Sequence, residues 1–76
     1  MKTLKDLSVG QSGTIAKLGT TGVLKQRFMD MGITKGTDVK VIKIAPLGDP
    51  IEIEIRGYNL SVRKSDAEKI EIMEGR

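Results

Sequence analysis

Ile44-Ala45-Pro46-Leu47-Gly48-Asp49-Pro50-Ile51-Glu52-Ile53-Glu54-Ile55-Arg56-Gly57-Tyr58-Asn59-Leu60-Ser61-Val62 is the stretch around which the rest of the sequence arranges itself. From Ile51 to Arg56 apolar and charged residues alternate without exception. That period of two sends Ile51, Ile53 and Ile55 to one face of a strand and Glu52, Glu54 and Arg56 to the other. Upstream, Pro46, Gly48, Asp49 and Pro50 force a turn. Pro50 has no backbone N–H and is confined to the first residue or the edge of the strand. Downstream, Gly57-Tyr58-Asn59 reads as a second turn, after which Leu60 and Val62 resume the alternation. The expectation is a β-hairpin of fixed register, with the remaining elements closing over its isoleucine face.

Working outward, Leu4 and Leu7 form a short lead-in that plugs one end of the core, and Gly13–Leu18 reads as a first strand with Ile15 inward. Gly19-Thr20-Thr21-Gly22 is a loop whose threonines can cap a helix over about residues 22–31. Leu24, Phe28 and Met31 recur at i, i+4 and i+7, one stripe of a 3.6-residue period. Gly32 suits the left-handed position after the last turn, and Ile33 can fold back in a Schellman-type stop. So short a helix is unstable alone and must dock its stripe as a lid on the sheet. In Val39–Ile44 the alternation breaks: Val39 and Val41 share one parity, Ile42 and Ile44 the other. Either a bulge shifts the phase or both faces are covered. Ser65-x-x-Glu68 has capping-box spacing and starts a single helical turn near 65–68. Ile70-Glu71-Ile72 closes as a last strand, and Glu74-Gly75-Arg76 is expected to fray. The pattern is mainly β: a small SH3-like antiparallel barrel of about five strands with one inserted α-helix, filling residues 1–76 as one domain.

A chain of 76 residues buries only about 60% of its unfolded surface, so one core must supply nearly all of its stability. It has no cysteine, hence no disulfide staple and no thiolate chemistry, which favours a reducing, cytoplasmic setting. No apolar run approaches a membrane span, and Met1–Leu7 lacks the apolar core of a signal peptide. The net charge of +3 is uneven: residues 1–36 hold six Lys/Arg against two Asp/Glu, and residues 37–76 hold seven against eight. The excess falls on Lys17, Lys25, Arg27 and Lys35, where it serves either as a solvated surface or as a face for an anionic partner.

Catalytic chemistry has little to draw on. With no His and no Cys there is no imidazole base, thiolate nucleophile or soft-ligand metal site. Glu52 and Glu54 lie about 7 Å apart on one strand face, a spacing open to acid–base work but common in solubilising pairs. Asp49 belongs to a turn and is expected to bond its own backbone. Gly19–Gly22 lacks the Gly-Lys-Ser/Thr of a nucleotide loop. Phe28 and Tyr58 are the sole aromatics, too few for a proline-rich-peptide groove or a base-stacking platform. The most suggestive surface is the exposed helix flank of Lys25, Arg27 and Met29 with nearby Lys35, a mixed basic and apolar patch suited to protein docking. Met31 continues the buried stripe, while Met29 sits at its edge or against a partner.

Arg27-Phe28-Met29-Asp30-Met31-Gly32-Ile33-Thr34-Lys35-Gly36 resembles the Arg-x-x-x-Met-Gly-x-x-x-Gly segment of the FeoA family, ferrous iron transport protein A. Ala45–Ile51 followed by Arg56–Lys64 is similar to that family's second signature, and Leu4-x-x-Leu7-x-x-Gly10 matches its lead-in. The resemblance implies an SH3-like barrel with an inserted helix. It also implies a cytoplasmic, non-enzymatic accessory of FeoB, the ferrous-iron permease with an N-terminal G-protein domain. It brings no catalytic residue, cofactor or iron-ligand set. Membrane association would come only through the partner, no nucleic acid is expected, and an exposed barrel edge could support weak homo-oligomers. The alternatives are a regulatory module like the C-terminal barrels of metal-dependent repressors, or a small RNA-binding barrel using the basic first half.

Overall fold

A computed structural model describes residues 2–74. In chain order the elements are a 3₁₀ turn (Leu4–Asp6), β1 (Ser12–Leu18), α1 (Gly22–Asp30), β2 (Asp38–Ile44), β3 (Ile51–Ile55), β4 (Tyr58–Val62), α2 (Lys64–Ala67) and β5 (Ile70–Glu74). The strands form one antiparallel sheet in the order β4-β3-β2-β1-β5, the mainly-β fold expected. The outer side of β5 is partly covered: Thr3 bridges to Glu71, and the Ile72 N–H donates to the Lys2 carbonyl at 2.8 Å. Among the described residues no helix is long and apolar enough to cross a membrane.

The alternation in Ile51–Ile55 holds: all three isoleucines are buried, beside Ile15, Val39, Val41, Ile70 and Ile72. Each such side chain contributes about 1.5–3 kcal/mol by leaving water. The broken parity of β2 is a bulge. Val41 pairs with Ile53 and Lys43 with the adjacent Glu52, so Ile42 is the extra residue. A second bulge interrupts β1: Ile15 pairs with Ile72 and Lys17 with Glu71, leaving Ala16 over. Bulges kink a strand and turn a side chain away from its regular face.

Phe28 carries α1 into the core, flanked by the half-buried Leu24 and Met31. The helix ends in the expected Schellman arrangement. The Ile33 N–H donates to the Phe28 carbonyl at 2.9 Å and the Gly32 N–H to the Met29 carbonyl at 3.0 Å, with Gly32 at φ +90°. Ile33 and Phe28 are both fully buried, completing the stop with an apolar contact.

Four local expectations are corrected. Thr21 stands at the N-cap of α1 but its side chain makes no capping bond. The second hairpin turns on Arg56-Gly57, not on Gly57-Tyr58-Asn59: Ile55 pairs with Tyr58, and φ is +52° at Arg56 and +85° at Gly57. Two positive φ angles are the mark of a two-residue I′ turn, whose twist matches the strands. α2 begins at Lys64, one residue before Ser65, so Ser65 is not its cap. Its first N–H instead donates to Asp49 Oδ1 at 3.0 Å, so Asp49 serves a helix 15 residues away rather than its own turn. Glu74 ends β5, while Gly75 and Arg76 lie outside the described residues.

Reciprocal capping occurs instead at the 3₁₀ turn. The Thr3 N–H donates to Asp6 Oδ2 at 2.9 Å and the Thr3 hydroxyl to the same oxygen at 3.3 Å. The backbone donor chiefly holds the Asp6 carboxyl below its ordinary range; the hydroxyl and the charges of Lys5 and Lys2 add to this, and desolvation opposes it.

This packing sets two expected outcomes. Ile53→Ala should cost about 2–5 kcal/mol, against about 4–11 kcal/mol for a whole domain of this size. Val23→Ala, at a side chain 78% exposed, should stay within about 0.5 kcal/mol. Urea unfolding midpoints compare the two, and equal midpoints would contradict the assigned core. Because the folded-state pKa of Asp6 is depressed, its contribution is present above the unfolded pKa and is lost as pH falls through the folded value. The stability gap between wild type and Asp6→Asn should therefore narrow from pH 7 to pH 2, and the Asp6 carboxyl should titrate below free aspartate by NMR.

Candidate functional site

The end of α1 exposes carbonyls that the helix itself cannot satisfy. The tip of the β3–β4 hairpin meets them. Arg56 Nε donates to the Gly32 carbonyl at 3.4 Å, and Arg56 Nη2 donates to the hydroxyls of Thr34 and Thr37, each at 3.2 Å. Those hydroxyls are 2.8 Å apart, and the Tyr58 hydroxyl donates to the Met31 carbonyl. A guanidinium here also complements the negative end of the helix dipole. Gly32 makes the approach feasible: a Cβ there would lie 3.3 Å from both Arg56 Cδ and Tyr58 Oη.

The same loop is stitched to β1. The Ile15 N–H donates to the Thr37 carbonyl at 2.9 Å, and the Gly36 N–H to the Ile15 carbonyl at 2.7 Å. Lys35 is thereby held beside β1, where the bulge at Ala16 leaves both Ala16 and Lys17 out of the core. Between this strand, the loop and α1 lies an open groove of about 410 Å³, lined by Ala16, Lys17, Leu18, Lys25, Met29, Thr34 and Lys35. Lys25 and Met29 are one turn apart on a single flank of α1. Leu18 is buried and Met29 is 44% exposed, giving the groove an apolar floor and edge.

Of the four residues expected to form a docking patch, the groove brings together Lys25, Met29 and Lys35. Arg27, two residues after Lys25 and so about 200° around the helix, does not line it. That angle is implicit in the sequence spacing. Lys17 joins the groove through a bulge that carries no comparable local signal. Among the described residues, none of these three lysines forms an ion pair within 4.0 Å. The surrounding acids face other partners: Asp30 accepts from Gln26 Nε2 at 2.9 Å and Asp38 from the Thr14 hydroxyl at 2.8 Å. Glu71 stands opposite Lys17 in the β1–β5 register without closing a bridge.

On the other face opposite charges stand across from one another in the strand register, without closing an ion pair within 4.0 Å among the described residues. Glu54 is paired across the strands with Lys40 and Glu52 with Lys43, and Glu52 also accepts from Asn59 Nδ2 at 3.1 Å. This is cross-strand stabilisation rather than an acid–base pair. Among the described residues no group of three or more His, Cys, Asp or Glu side chains could hold a metal ion.

Residues 2–74 match the family model described as the FeoA domain. Over 69 residues, 91% of this chain, the sequence is 38% identical to a Porphyromonas gingivalis protein named as an Fe(2+) transport protein A/Fe(2+) transporter FeoB fusion. The chain spans only 8% of that protein's length. The solution structure of iron(II) transport protein A from Clostridium thermocellum superposes with a TM-score of 0.92 at 33% identity, covering 96% of this chain and 45% of that one. The zinc complex of Stenotrophomonas maltophilia FeoA, described as an SH3 domain protein, superposes at 0.84 with 19% identity over 96% of this chain and 91% of that one, a likeness of fold.

The two segments that carry the resemblance therefore touch one another, through Gly32, Thr34, Arg56 and Tyr58. Gly36 sits at φ +87° with no atom within 4 Å of a notional Cβ, so it isolates the backbone cost of a left-handed residue. Gly36→Ala should lose about 1 kcal/mol. Gly32→Ala should lose a further 0.5–1.5 kcal/mol or so, because its methyl group also displaces the Arg56 and Tyr58 hydrogen bonds. Chemical denaturation of both variants measures the difference, and equal losses would mean that the hairpin contact adds nothing to stability.

Proposed function

The chain belongs to the FeoA domain family, and from that premise we propose that it is a non-enzymatic adapter of bacterial ferrous-iron uptake that docks on a FeoB-type permease at the cytoplasmic side of the membrane. The observation that carries this reading is the P. gingivalis relative, named as FeoA and FeoB parts fused in one protein. Fusing two modules makes their encounter intramolecular and raises their effective concentration to the millimolar range for a short flexible link. Tethered or not, the FeoA part needs a surface that meets the permease. The docking face we assign is the groove of Lys17, Lys25, Lys35 and Met29 between α1 and β1. Arg27 lies on the other flank of α1 and is outside that face.

The iron itself is cargo of the permease in this reading. The absence of His and Cys leaves the chain without the imidazole and thiolate ligands that hold soft or borderline metals tightly. What an adapter can do is bias its partner: if it binds one nucleotide state of a G-domain more tightly than another, it shifts the equilibrium by that difference in affinity.

Purified chain should be retained by a detergent-solubilised FeoB-type permease, by its isolated G-domain, or by both, in the presence of GDP or of a non-hydrolysable GTP analogue. Nucleotide-dependent retention would place the contact on the G-domain. No retention by either species in any nucleotide state would reject direct docking.

A further inference from the structure

We infer that the groove between α1 and β1 is a receptor for a carboxylate-rich protein segment bearing one large apolar side chain. The inference rests on the docking face assigned above, though not on the identity of the permease. Three elements each deliver one lysine to the same concavity: the bulged end of β1 supplies Lys17, α1 supplies Lys25 and the Thr34–Thr37 loop supplies Lys35. An ordinary solvated face intersperses acids among its lysines. Here no acid lines the groove and none of the three lysines is within bridging distance of a carboxylate among the described residues, Glu71 standing opposite Lys17 in the strand register without closing a bridge. The charge left over is positive, so the complement is anionic.

Beneath the charges, Ala16, Leu18 and Met29 offer an apolar surface in a space of about 410 Å³, enough to seat one large side chain with acidic neighbours around the rim. Methionine, unbranched and polarizable, adapts to side chains of different shape. Lysine ammonium groups act as mobile point charges and accept carboxylates in many orientations, whereas fixed bidentate recognition calls for arginine. The one arginine on α1, Arg27, is outside the groove. A nucleic acid fits this chemistry less well, because base stacking needs an aromatic platform. Phe28 is buried in the core, and Tyr58, though 44% exposed, does not line the groove. The apolar part is also recessed rather than projecting, which suits an inserted side chain better than a lipid surface.

The test is a titration of the ¹⁵N-labelled chain, read by amide shifts, at low salt. The main probe is the acetylated peptide Asp-Glu-Leu-Phe-Glu-Asp. The comparisons are its Asn/Gln counterpart, the anchorless Asp-Glu-Gly-Gly-Glu-Asp, inorganic phosphate, and vesicles containing one-third anionic lipid. The main probe should shift Lys17, Lys25, Met29 and Lys35 and bind about tenfold more tightly than either altered peptide, weakening steeply with added salt. Lys25→Glu combined with Lys35→Glu should abolish those shifts, while Arg27→Glu, equally exposed on the same helix, should leave them in place. Equal binding of phosphate or of the anchorless peptide would overturn the inference in favour of a simple anion site. Binding to vesicles without binding to the peptide would overturn it in favour of a membrane surface. The same double variant separates this inference from the adapter reading. If it loses the peptide yet retains the permease, the peptide inference stands and the permease docks elsewhere. If wild type binds the peptide but never the permease, the inference stands with another partner.

Discussion

The placement of α1 and of the loop after it depends on one contact between distant parts of the chain: the guanidinium of Arg56 and the hydroxyl of Tyr58 closing over the carbonyl end of α1. A nine-residue helix has too few internal bonds to persist in water, so it must be held from outside. Burial of Phe28 and the half-burial of Leu24 and Met31 hold its apolar face. The hairpin tip holds its end. Arg56 makes this contact from a left-handed backbone conformation, φ +52°, which costs a non-glycine residue about 1 kcal/mol or more. Glycine at that corner would remove the strain but also the three side-chain bonds. The arginine is thus placed where its reach outweighs its backbone.

The contact does more than stabilise. Arg56 bonds the hydroxyls of both Thr34 and Thr37, and the loop between them carries Lys35. That loop is also bonded to both the N–H and the carbonyl of Ile15. Lys35 therefore starts from a backbone fixed on two sides, and the groove it lines forms before any ligand arrives. A preformed groove lowers the ordering cost of association. The stretches that carry the family resemblance read, on this view, as devices for holding the helix and its loop. The docking face proposed above lies on the residues those devices position.

Much of this was legible in the sequence. The strict alternation of Ile51–Ile55, the Leu24/Phe28/Met31 stripe and the Gly32–Ile33 stop each depend on neighbours within one turn or one strand, and all three are present. The broken parity at Val41–Ile44 announced an irregularity, and the pairing register resolves it as a bulge. The misplaced features share a different cause. An I′ turn advertises itself through Asn-Gly or Gly-Gly, and Arg56-Gly57 offers only half of that signature. Asp49 caps a helix 15 residues away, and Ser65 fails to cap because the chain enters α2 one residue earlier. The grouping of Arg27 with Lys25 followed proximity in sequence, whereas the helix sets them on different flanks.

Charge placement joins the fold to its use. On the outer face of β2 and β3, Lys40 and Lys43 stand opposite Glu54 and Glu52 in the strand register, as Lys17 stands opposite Glu71, and none of these pairs closes within 4.0 Å among the described residues. On the α1 and β1 side, Lys17, Lys25 and Lys35 have no bridging acid among the described residues. A net charge of only +3 would steer a partner weakly if it were spread evenly. In the proposed docking, lysines gathered on one side orient an acidic partner during approach and discriminate against a basic one. Exposed lysines add little binding energy individually, so in the proposed docking the three act together and with the apolar surface of Met29 over the buried Leu18. The two contributions act at different stages of association. In the proposed docking charge alone steers the encounter, and the recessed apolar surface then joins it in holding the complex together.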